Sequence, residues 1–164
     1  MVVNAFKNFF RRMFSGIFRE KRELKLGFYG PPNVGKTSLA NRICKDFTGE
    51  DIGVVSKIPH ETRAVQFKER VQIEYKGKKM MFKIIDTPGI TTKIDYEDFL
   101  KYKMKKKEAK QRAKEATQGV VESIKWLDDM DVVVIVLDAT ENPYNQVNLT
   151  IIGNLVARKI PMLI

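Results

Sequence analysis

A glycine-rich loop of eight residues is the feature that most restricts how this chain can fold. The apolar run Leu24 to Tyr29 precedes it and predicts a short buried strand. The run Lys36 to Phe47 follows it and predicts a helix with Leu39, Ile43 and Cys44 on one face. The loop itself reads Gly30-Pro31-Pro32-Asn33-Val34-Gly35-Lys36-Thr37. A strand, such a loop and a helix in succession predict a site for phosphate groups.

The residue types of this loop suit contact with a nucleotide. Glycines let backbone N–H groups turn inward around a phosphate, and the helix N-terminus adds partial positive charge. Lys36 can reach the β- and γ-phosphate oxygens, while the Thr37 hydroxyl can coordinate a bridging Mg²⁺ ion. The predicted nucleotide-binding residues in this run are Gly30, Pro31, Pro32, Asn33, Val34, Gly35, Lys36, Thr37 and Ser38.

Length and composition narrow the class of protein. A chain of 164 residues is one domain by size and can bury a sizeable core. None of its apolar runs approaches the roughly 20 residues that span a bilayer. Its single cysteine, Cys44, excludes an intrachain disulfide and fits a reducing compartment, so we predict a cytoplasmic location. Cys44 itself is predicted to be a small buried residue.

Beyond the first helix, strand and helix patterns alternate. In order, the sequence predicts a long loop over Thr48 to Glu69, a hairpin of Val71 to Tyr75 and Met80 to Ile85, a helix from Lys105 to Asp129, a strand from Asp131 to Leu137, a helix opened by Asn142-Pro143 and a strand from Lys159 to Ile164. This alternation predicts an α/β fold with a mostly parallel sheet, helices on both faces and one antiparallel edge strand. Ligands bind at the carboxyl ends of strands in such sheets.

A second motif, Asp86-Thr87-Pro88-Gly89, directly follows a predicted strand. A carboxylate at a strand end can hold a metal, and a glycine amide three residues later can approach a γ-phosphate without hindrance from a side chain. An isolated Asp-x-x-Gly is commonly a plain turn. Here it lies 50 residues after Lys36 and behind a hairpin. We therefore place Asp86 and Gly89 at the nucleotide site.

Together, the loop, the hairpin and the second motif resemble translation-factor-related GTPases with the P-loop NTPase fold. The version of the loop found here is most similar to Era-like GTP-binding proteins of archaeal type, over roughly residues 24 to 164. The resemblance implies a regulatory protein that binds GTP and GDP and hydrolyses GTP. It also implies that Thr62 is a catalytic residue and a ligand of Mg²⁺, alongside Thr37 and Asp86, and that Lys36 takes part in catalysis.

The resemblance carries two further expectations. Ile90 follows Gly89 where Ras-type proteins place a water-orienting glutamine, so we expect a low intrinsic rate of hydrolysis. Asn33 stands where K⁺-dependent Era-like relatives place an asparagine, which implies stimulation by K⁺.

The base-reading Asn-Lys-x-Asp motif of the family does not occur in residues 1–164. Guanine preference is therefore implied by resemblance alone, and we expect a GTP-binding domain over 24–164 that is incomplete at its C-terminus. Without the base-reading motif, this chain is expected to discriminate poorly between GTP and ATP. A P-loop ATPase or kinase, and an interaction module that no longer turns over nucleotide, are the alternatives.

Two segments carry the net charge of +10. Residues 1–23 have a net charge of +4 and predict a basic amphipathic helix that docks on an anionic membrane or a protein partner, which would give the chain a peripheral location at the membrane. Lys101 to Lys114 has a net charge of +7, which is typical of a solvated helix face or of a contact with RNA phosphates.

Overall fold

The computed structural model describes residues 23–49, 64–75 and 78–164. The predicted N-terminal helix, Thr62 and most of the predicted long loop lie outside these ranges. Within them, the elements are β1 (Glu23–Tyr29), α1 (Lys36–Thr48), β2 (Gln66–Tyr75), β3 (Lys78–Asp86), α2 (Tyr96–Leu100), α3 (Lys106–Trp126), β4 (Val132–Ile135), α4 (Gln146–Ala157) and β5 (Met162–Leu163). No helix in these ranges is both long and apolar enough to span a bilayer.

One sheet, with the order β2-β3-β1-β4-β5, organises the fold. All its neighbouring pairs are parallel except β2 with β3, so the predicted antiparallel edge strand is confirmed. The register pairs Phe28 with Asp86 and Tyr29 with Ile135. The carboxyl ends of β1, β3 and β4 are therefore level, as the predicted site requires.

Helices cover both faces of the sheet, as predicted. Because side chains of a strand alternate between faces, Phe28 packs with Ile43 and Cys44 of α1, whereas Tyr29 packs on the other side of the sheet. That second cluster includes Leu127 beyond the end of α3 and Leu155 of α4. Cys44 is fully buried, so the interpretation of it as a core residue is confirmed.

Tertiary pairing changes the predicted strand limits. β2 begins at Gln66 rather than Val71, because Gln66 pairs with Asp86 across a register shift between Lys68 and Val71. The prediction of a loop up to Glu69 is wrong for these residues, since the partner strand supplies backbone hydrogen bonds that a polar composition does not reveal. β4 is shorter than its apolar run and covers only Val132–Ile135.

The predicted helix over Lys105 to Asp129 is confirmed with adjusted ends. α3 covers Lys106–Trp126 and continues as a 3₁₀ turn, Leu127–Asp129. Trp126 packs against the core, as predicted. The sequence analysis did not predict α2, a five-residue helix whose Phe99 packs on Ala109 and Ala116 of α3.

The predicted start of the last helix at Asn142-Pro143 is wrong. Asn142 instead opens a turn, in which its side chain accepts the Tyr144 N–H at 2.9 Å and its carbonyl accepts the Asn145 N–H at 3.3 Å. Asparagine followed by proline suits the first two positions of a β-turn as well as a helix start. Asn145 is the N-cap of α4, and its side chain accepts the Asn148 N–H at 2.9 Å.

This assignment predicts that Asn145→Ala lowers the free energy of unfolding by about 1 kcal/mol, because a helix-terminal N–H loses its partner. Asn142→Ala is the matched control and should cost less than about 0.5 kcal/mol, since its turn is exposed. Urea titration followed by circular dichroism measures both. A larger loss for Asn142→Ala would indicate that the helix begins at Pro143.

Candidate nucleotide site

The glycine-rich loop connects the end of β1 to the start of α1. Gly30 adopts a φ of 150°, and a Cβ on it would lie 2.1 Å from the Val136 carbonyl oxygen, so only glycine fits. Gly35 is the N-cap of α1, and no side chain caps that end of the helix. The N–H groups in the first turn of α1 therefore face the site, and no side chain at the N-cap accepts from them. Together with the positive end of the helix, this arrangement favours binding of an anion.

Lys36 is a buried cation in this loop. The residue is 6% exposed, and its Nζ donates to the Pro31 carbonyl oxygen at 2.6 Å. Burial lowers the pKa of the Lys36 amine to about 8, while the negative charge of Asp86 acts in the opposite direction. A phosphate beside this amine would favour its charged form, because an opposite charge offsets the cost of burial.

Thr37 and Asp86 meet at the level strand ends. The Thr37 hydroxyl donates to Asp86 Oδ2 at 2.6 Å, although the two residues are 49 positions apart in sequence. Asp86 is fully buried. A hydroxyl and a carboxylate side by side are hard oxygen ligands, the type that Mg²⁺ prefers, so this donor set fits the predicted metal.

The Asp-Thr-Pro-Gly segment packs directly against the loop. The Thr87 hydroxyl donates to the Phe28 carbonyl oxygen at 2.6 Å, and the Ile90 N–H donates to the Gly30 carbonyl oxygen at 3.0 Å. A Cβ on Gly89 would lie 2.6 Å from Pro32 Cα, closer than side chains tolerate. Ile90 itself is buried in the apolar cluster that contains Tyr29, which accounts for an apolar residue at this position.

A buried contact that the sequence analysis missed ties this segment to α3. The Tyr29 hydroxyl donates to the Ser123 carbonyl oxygen at 2.9 Å, and burial raises the pKa of that hydroxyl above its ordinary value. The Ser123 hydroxyl lies 2.8 Å from the Gly119 carbonyl oxygen and 3.3 Å from that of Pro88. A serine among the buried residues of α3 was the available signal, but Tyr29 and Pro88 are 94 and 35 positions away in sequence.

The structure brings together the loop, Asp86 and Gly89. In the loop, Pro31, Pro32, Val34 and Gly35 are half-buried, while Asn33 and Ser38 are exposed. Thr62, predicted as a ligand of Mg²⁺, lies outside the described residues.

A mostly parallel sheet with a glycine-rich loop and an Asp-x-x-Gly segment at neighbouring strand ends defines the P-loop GTPase class. The family described as "50S ribosome-binding GTPase" matches residues 25–164, and the chain belongs to this family. The chain is 31% identical over 137 residues to GTPase Der of Saccharophagus degradans, covering 81% of this chain and 23% of that protein. It is 35% identical over 123 residues to GTPase Der of Fusobacterium nucleatum, covering 74% of this chain and 22% of that protein. The chain thus spans less than a quarter of these relatives.

Solved structures agree on the fold. An Era variant from Aquifex aeolicus bound to GDP and AlF₄⁻ matches with a TM-score of 0.62 and 17% identity over 87% of this chain and 40% of that one. Era in complex with MgGDPNP and a fragment of 16S ribosomal RNA matches with a TM-score of 0.59 and 18% identity, covering 88% and 40% of the two chains. The Era-like resemblance is confirmed, whereas its archaeal type stays a prediction.

The contact between Gly89 and Pro32 predicts that Gly89→Ala lowers the free energy of unfolding by about 1–3 kcal/mol, because the added methyl group meets backbone atoms. Gly153→Ala is the matched control, since a Cβ there meets nothing within 4 Å. It lies within α4 and should stabilise the protein by up to about 1 kcal/mol. Denaturant titration of both variants tests the difference, and equal effects would contradict this packing.

Proposed function

We propose that this chain binds GTP and GDP with Mg²⁺ and acts as a regulatory switch that hydrolyses GTP slowly. The observation that carries the proposal is the convergence of Lys36, Thr37 and Asp86 at one rim of the sheet, with Thr37 hydrogen-bonded to Asp86 at 2.6 Å. Membership of a GTPase family supports guanine as the base.

Each group has a role in the proposed site. Backbone N–H groups between Pro31 and Thr37 would surround the β-phosphate, and Lys36 would neutralise the β- and γ-phosphate oxygens. Thr37 and Asp86 would hold Mg²⁺, directly or through a water molecule, and Thr62 would complete the set by analogy with the family. Bound Mg²⁺ supplies charge neutralisation at the transferred phosphate.

The packing supports a route by which nucleotide state reaches the protein surface. Gly89 lies against the loop, so its N–H would face the γ-phosphate, which GTP has and GDP lacks. Pro88 in turn is 3.3 Å from the Ser123 hydroxyl on α3. Loss of the γ-phosphate would therefore alter a segment that contacts α3 directly.

The partner and location predictions belong to the same proposal. Residues 1–23 would dock on an anionic membrane or a protein partner, giving a cytoplasmic protein that is peripheral at the membrane. RNA contact is proposed for the segment Lys101 to Lys114; the solved Era neighbour was bound to a 16S ribosomal RNA fragment. The ATPase, kinase and pure interaction-module alternatives have no comparable support from the relatives.

Lys36→Ala should nearly abolish nucleotide binding, because it removes a charge-assisted donor worth about 1.5–3 kcal/mol. Lys45→Ala is the control, since Lys45 is an exposed lysine on the same helix. Titration of a fluorescent GTP analogue measures both variants. Binding by Lys36→Ala within twofold of the parent would rule out the assigned role of the loop.

Intrinsic hydrolysis should have a rate on the order of 10⁻⁴ to 10⁻² s⁻¹, since the buried Ile90 side chain cannot orient water. Single-turnover release of phosphate measures the rate, with Lys36→Ala as the background control. Turnover above about 1 s⁻¹ would contradict the assignment of a slow switch.

We expect K⁺ to stimulate hydrolysis more than Na⁺ at equal ionic strength, because the Asn33 amide oxygen is a hard ligand on the exposed loop. Asn33→Gly tests this, since Asn33 has a φ of 61° that glycine adopts without strain. The variant should lose the difference between the two salts. Stimulation that survives in the variant would exclude Asn33 as the ligand.

A further inference from the structure

The charged residues of α3 are separated by face. With 3.6 residues per turn, Lys106, Lys107, Lys110 and Lys114 fall within an arc of about 100°, and all four are exposed. We call these four residues the lysine face. On the inner side, α3 buries Ala109, Arg112, Ala116, Gly119 and Ser123.

Packing does not require these lysines. None of the four forms an ion pair with a residue in the described ranges, and only Lys110 approaches an aromatic ring, that of Tyr96 at 5.4 Å. The glutamates of α3 could neutralise them only from the same side of the helix. However, Glu108, Glu115 and Glu122 lie on an adjacent arc, about 160–200° from Lys106 at 100° per residue.

The position of the lysine face opposes helix formation. Lys106 and Lys107 are in the first turn, where the helix carries partial positive charge, and Lys110 and Lys114 are like charges four residues apart. Lys105, at the N-cap, adds a further positive charge at this end. Local choices that work against the fold are expected at functional sites.

The lysine face is smaller than the basic segment Lys101 to Lys114 of the sequence. Arg112 is buried at 4% exposure, and Lys101 forms an ion pair with Asp98 at 2.7 Å. Neither residue offers a free charge on the lysine face.

We propose that the lysine face binds the phosphate backbone of a single-stranded nucleic acid. A helix that lies in a membrane must insert an apolar side, but the apolar side chains of α3 face the core and mainly Val121 is exposed beside the lysines. Phosphate contact needs only an array of cations. Tyr102, 42% exposed and four residues before Lys106, offers a ring on which a base can stack. The inference rests on the RNA-contact part of the proposed function and is independent of nucleotide binding.

The test uses the whole chain without nucleotide and compares Lys110→Gln/Lys114→Gln with Lys45→Gln/Lys159→Gln. Both pairs remove two exposed positive charges, but only the first lies on α3. Anisotropy of labelled 20-nucleotide oligouridine RNA, and of the matching single-stranded DNA, is measured over a range of salt concentrations. The lysine-face variant should bind about tenfold more weakly. The slope of its plot of log K against log salt concentration should be shallower by about 1.4, because each phosphate contact on a single strand contributes about 0.7 to that slope. The control should keep the parental slope.

A melting curve separates lost contacts from unfolding. Because the lysine-face variant removes a like-charge pair, it should melt at the parental temperature or above. Equal losses in both variants, or an unchanged salt slope, would overturn the proposal. So would loss of binding to phosphatidylserine vesicles with unchanged RNA and DNA binding, which would assign the face to a membrane. Preference between the two oligonucleotides identifies the kind of nucleic acid.

Discussion

The parallel register of β1 with β3 and β4 determines the geometry of the site. It sets Phe28 opposite Asp86 and Tyr29 opposite Ile135, so the loop after β1 and the segment after β3 leave the sheet at the same level. The Thr37 contact with Asp86 and the Thr87 contact with Phe28 both depend on this alignment. A one-residue slip would move every side chain of the shifted strand to the other face and separate these groups.

Burial of the Lys36 amine carries a free-energy cost that a bound anion would offset. Lys36 is nearly fully buried, and burial lowers the pKa of its amine to about 8. Close backbone approaches at Gly30 and Gly89 also exclude every side chain larger than hydrogen. The two glycines let the loop pack closely on Val136 and on the segment that follows β3. An anion bound beside Lys36 would offset its buried charge.

Helix α3 links the site to the surface. Its inner side receives Tyr29 and contacts Pro88 through Ser123, so it packs against the segment that follows β3. Its outer side presents the lysine face. These four lysines are exposed and form no ion pair with a residue in the described ranges. The inner contacts set the position of the helix, whereas the outer charges determine what it can bind.

Motifs with local chemistry were predictable from the sequence alone. The order of residues in Gly30 to Thr37 and in Asp86 to Gly89, together with alternating strand and helix periods, was enough to predict the fold class and to place Lys36 and Asp86 at the same edge of the sheet. Other features depended on partners far along the chain. Gln66 joined β2 because Asp86 lies opposite it, and Ser123 and Arg112 were buried by packing. Only the tertiary structure decided these features, because a local sequence pattern indicates which contacts a residue can form but not which distant residue will be its partner.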